Sequence, residues 1–134
     1  MILGIGIDLL NISRLEKLEK KFGEKFAKKI LAEEEIAQYK KTKKNHTEFL
    51  AKKFCVKEAF SKALGTGIGR GINFNDIIIN NDILGKPIIT LTEKGYNFLE
   101  NYYKTNYKYL QIDISTTDEA PYVNSFVIIS KNSK

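Results

Sequence analysis

The chain has 134 residues, 43% hydrophobic and 28% charged, a composition that argues against intrinsic disorder and favours one globular domain over residues 1–134. No apolar run approaches the roughly 20 residues that a membrane-spanning helix needs, so we expect no membrane insertion. The formal net charge of +6 favours an anionic partner, such as nucleic acid, a phosphorylated ligand or an acidic protein.

The N-terminal residues predict a β-strand with one apolar face, made by Leu3, Ile5, Ile7 and Leu9. The other face carries Gly4, Gly6 and Asp8, and the two glycines leave room for a helix or a ligand to approach closely. Asp8 has room for a hard cation, although a cap for the next helix is the simpler interpretation of this residue alone. The segment lacks the features of a signal peptide, and the single cysteine, Cys55, cannot form an internal disulfide, so we expect a cytoplasmic protein.

Three short helices are predicted next. A capping box from Ser13 to Glu16 begins the first helix, and Gly23 ends it. The stripe that we expect to be buried consists of Leu15, Leu18 and Phe22. The opposite, outward stripe is basic and consists of Arg14, Lys17 and Lys21. Residues 24–31 and 33–41 predict two more helices, and residues 40–45 predict an exposed turn.

The longest predicted helix runs from Thr47 to Leu64 and ends at Gly65. Its broad apolar face consists of Phe49, Val56, Phe60, Ala63 and Leu64. A flexible glycine-rich loop over residues 65–71 follows the helix rather than preceding it, so it is not a P-loop. Such a loop can still offer backbone N–H groups to an anion.

Two pairs of charged residues on this helix have different expected surroundings. Glu58 and Lys62 lie four residues apart away from the apolar face, where a solvated ion pair is the simpler interpretation. Lys53 and Lys57 point into the apolar arc, and charges rarely do so without partners. A bound polyphosphate or a subunit interface would supply those partners.

The second half of the chain is richer in β-structure. Segments of β-branched residues predict strands over residues 74–80, 87–91, 109–115 and 122–130. A helix is predicted over residues 92–104, with Thr92 as its cap. This order favours an α+β fold in which a mainly antiparallel sheet packs on the long helix.

Two separated carboxylates, several lysines and a glycine-rich loop together suit phosphoryl chemistry. In such sites one or two carboxylates and the substrate phosphates hold Mg²⁺, and lysines offset the remaining charge. The candidate carboxylates are Asp8 and Glu58, although the sequence does not establish that they meet. The single histidine, His46, is interpreted as a surface or capping residue, and Cys55 as a buried thiol rather than a nucleophile.

A basic RNA-binding protein without enzymatic activity is the alternative function. The net charge and the tyrosines Tyr102, Tyr103, Tyr107 and Tyr109 favour it. These tyrosines cluster at a helix end and a strand start, however, and not at alternating sheet positions where they would stack bases. Packing is therefore the simpler interpretation of the tyrosines.

Three motifs give the chain a family resemblance. They are GIGIDLLNISR at residues 4–14, FCVKEAFSKALGTGIG at residues 54–69, and Gly85-Lys86-Pro87. In order and spacing they resemble the bacterial holo-acyl-carrier-protein synthases, which are 4′-phosphopantetheinyl transferases. The resemblance covers nearly the whole chain, and the first two motifs together are highly specific.

The resemblance implies a homotrimer with active sites at its subunit interfaces, without nucleic acid or membrane partners. The resemblance also implies that Asp8 and Glu58 are the ligands of a Mg²⁺ ion. Its implied catalytic residues are Glu58 and Lys62. The residues implied to bind coenzyme A, the donor substrate, are Lys53, Lys57, Lys62, Gly65, Thr66, Gly85, Lys86 and Pro87. The acidic acyl carrier protein would dock on Arg14, Lys17, Lys21, Lys25 and Lys28.

The chain departs from the family pattern in the penultimate strand. The family commonly has two histidines there, in the pattern H-x-S-[I/L]-[S/T]-H. The corresponding residues are Gln111 and Thr116, and Asp113 replaces the serine. We therefore expect no histidine general base and no phosphate contacts from histidines at these positions.

Overall fold

The computed structural model describes residues 1–42 and 44–133. The first half of the chain contains one strand and four helices: β1 (Ile2–Asn11), α1 (Ile12–Phe22), α2 (Glu24–Ile30), α3 (Glu33–Lys41) and α4 (His46–Leu64). The second half contains β2 (Ile77–Asn81), β3 (Pro87–Leu91), α5 (Glu93–Tyr103), β4 (Leu110–Glu119) and β5 (Tyr122–Lys131). One-turn 3₁₀ helices precede β2 and β4, at Phe74–Asp76 and Tyr107–Tyr109.

The strands form two antiparallel sheets. The larger has the order β1-β5-β4, so the C-terminal strand lies between the first and the fourth. The smaller is the β2–β3 hairpin. Helix α4 packs across the inner face of the larger sheet, mainly against β1 and β5. The predicted α+β class, with antiparallel strands on a long helix, is confirmed.

The glycines of β1 let this strand lie directly on α4. A Cβ atom at Gly6 would overlap the carbonyl oxygen of Ala59, and one at Gly4 would overlap that of Ala63. Of the two close approaches that the sequence allowed, that of a helix is the one observed. Because no larger residue fits these two positions, the glycines fix the distance between β1 and α4.

Helix α4 divides the interior into two apolar clusters. One lies between α4, the two sheets and α5, with Phe60, Val127 and Leu99 fully buried in it. The other lies between α4 and the helices α1 to α3, and contains Leu15 and the buried Cys55. The interpretation of Cys55 as a buried thiol is confirmed, and burial raises the pKa of this thiol to about 11.

The N-cap of α1 differs from the prediction. The capping residue is Asn11, whose side-chain oxygen accepts hydrogen bonds from the Ser13 backbone N–H at 3.0 Å and from its hydroxyl at 2.8 Å. The predicted capping box at Ser13 is therefore wrong. The interpretation of Asp8 as the cap is also wrong, because β1 continues past it to Asn11.

Three other local predictions are corrected. Phe22 is 49% exposed rather than buried, and the ammonium of Lys21 lies 5.2 Å from its ring centroid. Leu3 packs partly against the core, because a register shift between Ile2 and Gly4 interrupts the alternation of β1. Part of the turn predicted over residues 40–45 belongs to α3, and residue 43 lies outside the described residues.

The larger sheet has an apolar face turned away from α4, which we call the outer sheet face. Ile5, Ile7 and Leu9 are each more than half exposed there, and Phe126 of β5 pairs with Ile7. A groove of about 460 Å³ lies beside Leu9 and Tyr122. No helix among the described residues is long and apolar enough to span a lipid bilayer.

Candidate active site

Asp8 lies opposite the C-terminal half of α4. It shares a strand face with Gly4 and Gly6, so the close approach of β1 and α4 brings its carboxylate to the helix. The Lys62 ammonium donates to Asp8 Oδ1 at 2.9 Å and to the Ile7 carbonyl oxygen at 3.1 Å. The side chain of Asp8 is 14% exposed and that of Lys62 is 52% exposed. The ion pair of Lys62 is therefore with Asp8, across 54 residues of sequence, and not with Glu58 four residues away.

Glu58 belongs to the same group of charges. Burial raises the pKa of its carboxyl, and the negative charge of Asp8 raises it further. The positive charges of Lys62 and Arg14 act in the opposite direction. Asp8, Glu58 and Lys62 thus form one interacting set, which we call the acidic-lysine cluster, and the charge of Arg14 acts on it from the side.

The two carboxylates of this cluster suit Mg²⁺ better than a structural metal ion. Within residues 1–42 and 44–133, three or more His, Cys, Asp or Glu side chains nowhere converge on one point. A structural site would need such a group, whereas Mg²⁺ is commonly held by one or two carboxylates, with waters and substrate phosphates completing the shell. The donor set of Asp8 and Glu58 therefore fits an ion that arrives with a phosphorylated ligand.

Lys57 has all of its partners inside the chain. It is fully buried, and its ammonium donates to the Glu35 carboxylate and to the carbonyl oxygens of Ile30 at 2.8 Å and Phe74 at 3.0 Å. A lysine has three donors, so none remains for a ligand. Burial lowers the pKa of Lys57 to about 8, although Glu35 opposes this shift. The expectation that Lys57 takes its partner from a polyphosphate or another subunit is therefore wrong.

Lys53 lies at the edge of the same buried network but also reaches a groove. Its ammonium donates to the Ile79 carbonyl oxygen at 2.6 Å, and Glu35 Oε2 lies 4.0 Å away. The nitrogen also lies 5.1 Å from the centroid of the Phe49 ring. Burial lowers the pKa of Lys53, and Glu35 partly offsets this shift. One carboxylate therefore serves two lysines, which leaves positive charge beside the groove.

The groove next to Lys53 has a volume of about 300 Å³. Residues from α4, the β2–β3 turn and β4 form its walls; they include Lys52, Lys53, Gly85, Pro87, Thr116 and Asp118. Lys52 lies 3.1 Å from Glu48 and 3.8 Å from Asp118 across the opening. The groove joins one predicted ligand lysine to two of the predicted loop residues, Gly85 and Pro87.

Two glycine turns flank this region. Gly65 ends α4 with φ of 80°, and its N–H donates to Lys62 O at 3.0 Å. The following Gly67 and Gly69 also donate within the loop, to Ser61 O at 3.2 Å and Ile72 O at 2.8 Å. These three N–H groups are therefore already used, and the Thr66 hydroxyl donates to Gly67 O at 3.0 Å.

The turn between β2 and β3 is held by one aspartate. Asp82 Oδ1 accepts from the backbone N–H groups of Leu84 at 2.9 Å and Lys86 at 2.8 Å. Gly85 has φ of 86° and donates its N–H to Asp82 O at 2.9 Å. Lys86 is exposed at the end of the turn, beside the groove-lining Pro87.

The predicted carrier-binding residues all lie on the surface. Arg14, Lys17 and Lys21 are exposed on α1, and Lys25 and Lys28 are exposed on α2. Arg14 is also close enough to Glu58 to lower the pKa of that carboxyl. We call these five residues the basic patch, and its Arg14 end borders the acidic-lysine cluster.

Two functional features were missed or left open by the sequence. Glu35, the buried partner of Lys57, reads in sequence as one of three glutamates at a helix start, and no local signal distinguishes it. Thr116, at a position where the family has histidine, lines the groove, and its Oγ1 lies 3.3 Å from Ser125 Oγ. Gln111 instead donates to Asp113 Oδ2 at 2.8 Å.

The tyrosines that favoured RNA binding are occupied in packing. The Tyr102 hydroxyl donates to Leu64 O at 2.8 Å, and the rings of Tyr96 and Tyr107 lie 4.4 Å apart. Tyr102 and Tyr103 also meet edge to face at 4.9 Å. The packing interpretation of Tyr102, Tyr103 and Tyr107 is thus supported.

Known proteins resemble the chain over its whole length. A family model for the 4′-phosphopantetheinyl transferase superfamily matches residues 4–124. The holo-[acyl-carrier-protein] synthase of Vibrio cholerae serotype O1 is 40% identical over 131 residues, which cover 98% of this chain and 99% of that protein.

Solved structures agree with this match. The holo-[acyl-carrier-protein] synthase of Neisseria meningitidis is 37% identical with a TM-score of 0.88, over 98% of this chain and 100% of that one. The Bacillus anthracis enzyme in complex with CoA (3′,5′-ADP) is 34% identical with a TM-score of 0.78, over 99% of each chain. The chain therefore belongs to the 4′-phosphopantetheinyl transferase superfamily, as its motifs predicted.

Proposed function

We propose that this chain transfers the 4′-phosphopantetheine group of coenzyme A to a serine of apo-acyl carrier protein, and that residues 1–134 act as one catalytic domain. The observation that carries this proposal is the acidic-lysine cluster, which borders a basic patch and shares α4 with a groove suited to an anionic ligand. The full-length similarity to holo-[acyl-carrier-protein] synthases supports the same reaction.

Coenzyme A is assigned to the groove and, further along α4, to the C-terminal end of that helix. Lys53 supplies positive charge at the groove wall, and Gly85, Lys86 and Pro87 form the turn beside it. Lys62, with Gly65 and Thr66 just beyond it, is the lysine assigned to the pyrophosphate. Lys57 is left out of this set because its donors are used internally. The structure of the related Bacillus anthracis protein contains this type of ligand.

The transfer is proposed to be direct. The serine oxygen of the carrier forms a bond to the β-phosphorus of coenzyme A, and the bond from that phosphorus to adenosine 3′,5′-bisphosphate breaks. Lys62 offsets the charge that develops on the pyrophosphate oxygens. The serine proton is assigned to the Glu58 carboxylate, which lies in the same group of charges as Lys62 and Asp8. Asp8 and Glu58 would hold Mg²⁺, which when bound would offset phosphate charge.

The acidic carrier protein is proposed to dock on the basic patch. Its first residue, Arg14, lies beside Glu58 in charge interaction, so a carrier docked on α1 would present its serine near the acidic-lysine cluster. Charged surfaces of this kind chiefly raise the association rate and its dependence on salt.

The working form is proposed to be a cytoplasmic homotrimer. The outer sheet face exposes Ile5, Ile7, Leu9 and Phe126 together, and a group of exposed apolar side chains of this kind favours association with another subunit. Light scattering on the wild type and on an Ile7→Glu variant checks the assembly. A monomer mass for the wild type in the presence of coenzyme A contradicts it.

Mass spectrometry of apo-acyl carrier protein, incubated with this enzyme, coenzyme A and Mg²⁺, checks the reaction. We expect a mass gain equal to one phosphopantetheine, with no gain when a chelator is added or when Asp8→Asn replaces the wild type. An unmodified carrier with folded wild-type enzyme, tested across several carrier proteins, contradicts the proposed function.

A further inference from the structure

Lys62 occupies a carboxylate that the proposed metal ion also needs. Its ammonium contacts Asp8 Oδ1 at 2.9 Å and the Ile7 carbonyl oxygen at 3.1 Å. Asp8 is largely buried between β1 and α4, so few other positive groups can reach this oxygen. An oxygen that accepts an ammonium at this distance is less available to a divalent cation, and the adjacent positive charge also opposes cation binding at the other oxygen, Oδ2.

The same lysine is built to leave that position. Its side chain is half exposed, and a lysine carries a compact charge on a flexible four-carbon stem. A partly exposed ion pair of this kind is weak, so a ligand with several phosphate oxygens competes well for the ammonium. Lys57 is the opposite case, since three buried acceptors hold it in place.

We propose that Lys62 is a placeholder cation that makes metal binding depend on the phosphorylated donor. In the free enzyme Lys62 neutralises Asp8 and keeps metal affinity low. Donor phosphates draw the ammonium away, and Asp8 then becomes available beside Glu58. This inference rests on the proposed function, because it takes a pyrophosphate-containing donor and a divalent ion as the ligands.

Thermodynamic linkage gives the proposal a measurable form. If the donor raises metal affinity by some factor, the metal must raise donor affinity by the same factor. Part of this factor comes from direct contact between the ion and the phosphates, which does not need Lys62. The affinity for the metal without donor is therefore the quantity that isolates the role of Lys62.

The test is a titration with Mn²⁺ alone, without carrier protein, followed by electron paramagnetic resonance of the free ion. We expect Lys62→Met to bind Mn²⁺ about tenfold more tightly than the wild type. Adding coenzyme A should increase Mn²⁺ affinity by a larger factor in the wild type than in Lys62→Met. The double variant Asp8→Asn/Lys62→Met should not show the tighter Mn²⁺ binding of Lys62→Met, since it lacks the Asp8 carboxylate. Lys62→Gln repeats the test with a polar side chain.

Lys94→Met is the matched control. Lys94 pairs with Asp76 at 3.6 Å, and their side chains are 63% and 9% exposed, close to the values for Lys62 and Asp8. Its removal deletes one positive charge beside a largely buried carboxylate, which keeps its hydrogen bonds from the Asn73 N–H and the Thr92 hydroxyl, so it reports any general effect of charge. We expect it to change Mn²⁺ affinity less than about twofold.

Unchanged or weaker Mn²⁺ binding by both Lys62→Met and Lys62→Gln overturns the inference, as does an equal gain in Lys94→Met. These outcomes are separable from failure of the proposed function. A wild type that modifies apo-carrier protein in the presence of Mg²⁺ keeps the function even where the placeholder role is lost. A wild type that neither modifies the carrier nor binds Mn²⁺ with coenzyme A refutes both.

Discussion

Two lysine–carboxylate pairs on α4, five residues apart, have opposite physical characters. Lys57 and Glu35 are both fully buried, and backbone groups from α2, α3 and β2 complete their hydrogen bonds. Lys62 lies nearer the C-terminus of the same helix, where it is half exposed and pairs with Asp8 of β1. The first pair connects secondary-structure elements, whereas the second leaves a cation able to exchange partners.

The difference shows why a lysine in a motif does not by itself identify a ligand contact. Both lysines belong to the same motif, and a helical wheel makes Lys57 the more unusual of the two. The inward direction of Lys57 has a structural cause, because its ammonium forms a buried ion pair with Glu35 of α3. The lysine that we propose to act in transfer, Lys62, is the one with the ordinary, solvent-facing position.

Glu35→Ala should have the largest effect, and the effect should be on stability. It would leave the Lys57 ammonium without its counter-ion and would remove the acceptor for the N–H groups of Ala32 and Ile79. Breaking a buried pair from one side typically costs about 3–5 kcal/mol of unfolding free energy. Urea denaturation measures it, with the exposed neighbour Glu34→Ala as control at about 0.5 kcal/mol or less. A loss for Glu35→Ala as small as that of Glu34→Ala would mean that the buried pair does not hold the fold together.

Lys62→Met should have the opposite profile, with a large loss of transfer activity and a small loss of stability. Losing a positive charge aimed at developing phosphate charge should lower kcat/KM for transfer by about 10²–10³. Because the Lys62–Asp8 pair is partly exposed, the unfolding free energy should fall by about 1 kcal/mol at most. Parallel kinetics and urea denaturation separate the two effects. Normal transfer by this variant would mean that Lys62 takes no part in the reaction.

The elements that the sequence predicted well are those set by local patterns. The alternation of β1 from Gly4 onward, the glycines before Asp8 and the long helix up to Gly65 depend on nearest neighbours, and the structure has them where they were expected. The start of α1 was missed because two residues able to cap, Asn11 and Ser13, lie two positions apart. Sequence preference does not decide between such close competitors.

The ion pairs could not be predicted because their partners are distant in sequence. Lys57 pairs with a residue 22 positions earlier, and Lys62 pairs with one 54 positions earlier in preference to Glu58 on its own helix. Phe22 was missed for a related reason: its helix has an apolar stripe, but at the last turn the ring stays half exposed, with the Lys21 ammonium near it. Tertiary packing decides each of these cases.

Gly6→Ala should disturb the Lys62–Asp8 pair while sparing the Lys57–Glu35 pair. The added methyl group would overlap the Ala59 carbonyl oxygen, so β1 must move away from α4 and carry Asp8 with it. Such overpacking costs about 1–3 kcal/mol. A shift of the carboxylate should also lower transfer about tenfold or more. Gly23→Ala is the control, since its Cβ meets open space and only the backbone angle is strained. Equal transfer rates for Gly6→Ala and Gly23→Ala would mean that the close contact of Gly6 with α4 does not position the site.

Arg14→Ala should have a smaller effect, confined to the carrier protein. Arg14 is exposed at the end of the basic patch nearest the acidic-lysine cluster, and it acts on Glu58 through its charge. A carrier docked there would partly desolvate the guanidinium, so its loss should raise KM for carrier about tenfold. KM for coenzyme A should stay nearly unchanged, because Lys62 and Lys53 remain, and the salt dependence of transfer should flatten.

Lys21→Ala tests whether the effect of Arg14→Ala on KM for carrier comes from a specific docking contact or only from the loss of one positive charge on α1. Lys21 lies on the same outward stripe, two turns from Arg14, and its ammonium rests over the exposed ring of Phe22. A rim charge of this kind contributes little, so its loss should raise KM for carrier by about twofold or less. Equal effects of the two variants would mean that the patch acts only through total charge. An Arg14→Ala enzyme that loses affinity for coenzyme A but keeps its carrier KM would move the docking surface away from α1, and Arg14 would then belong with Lys62 on the donor side of the site.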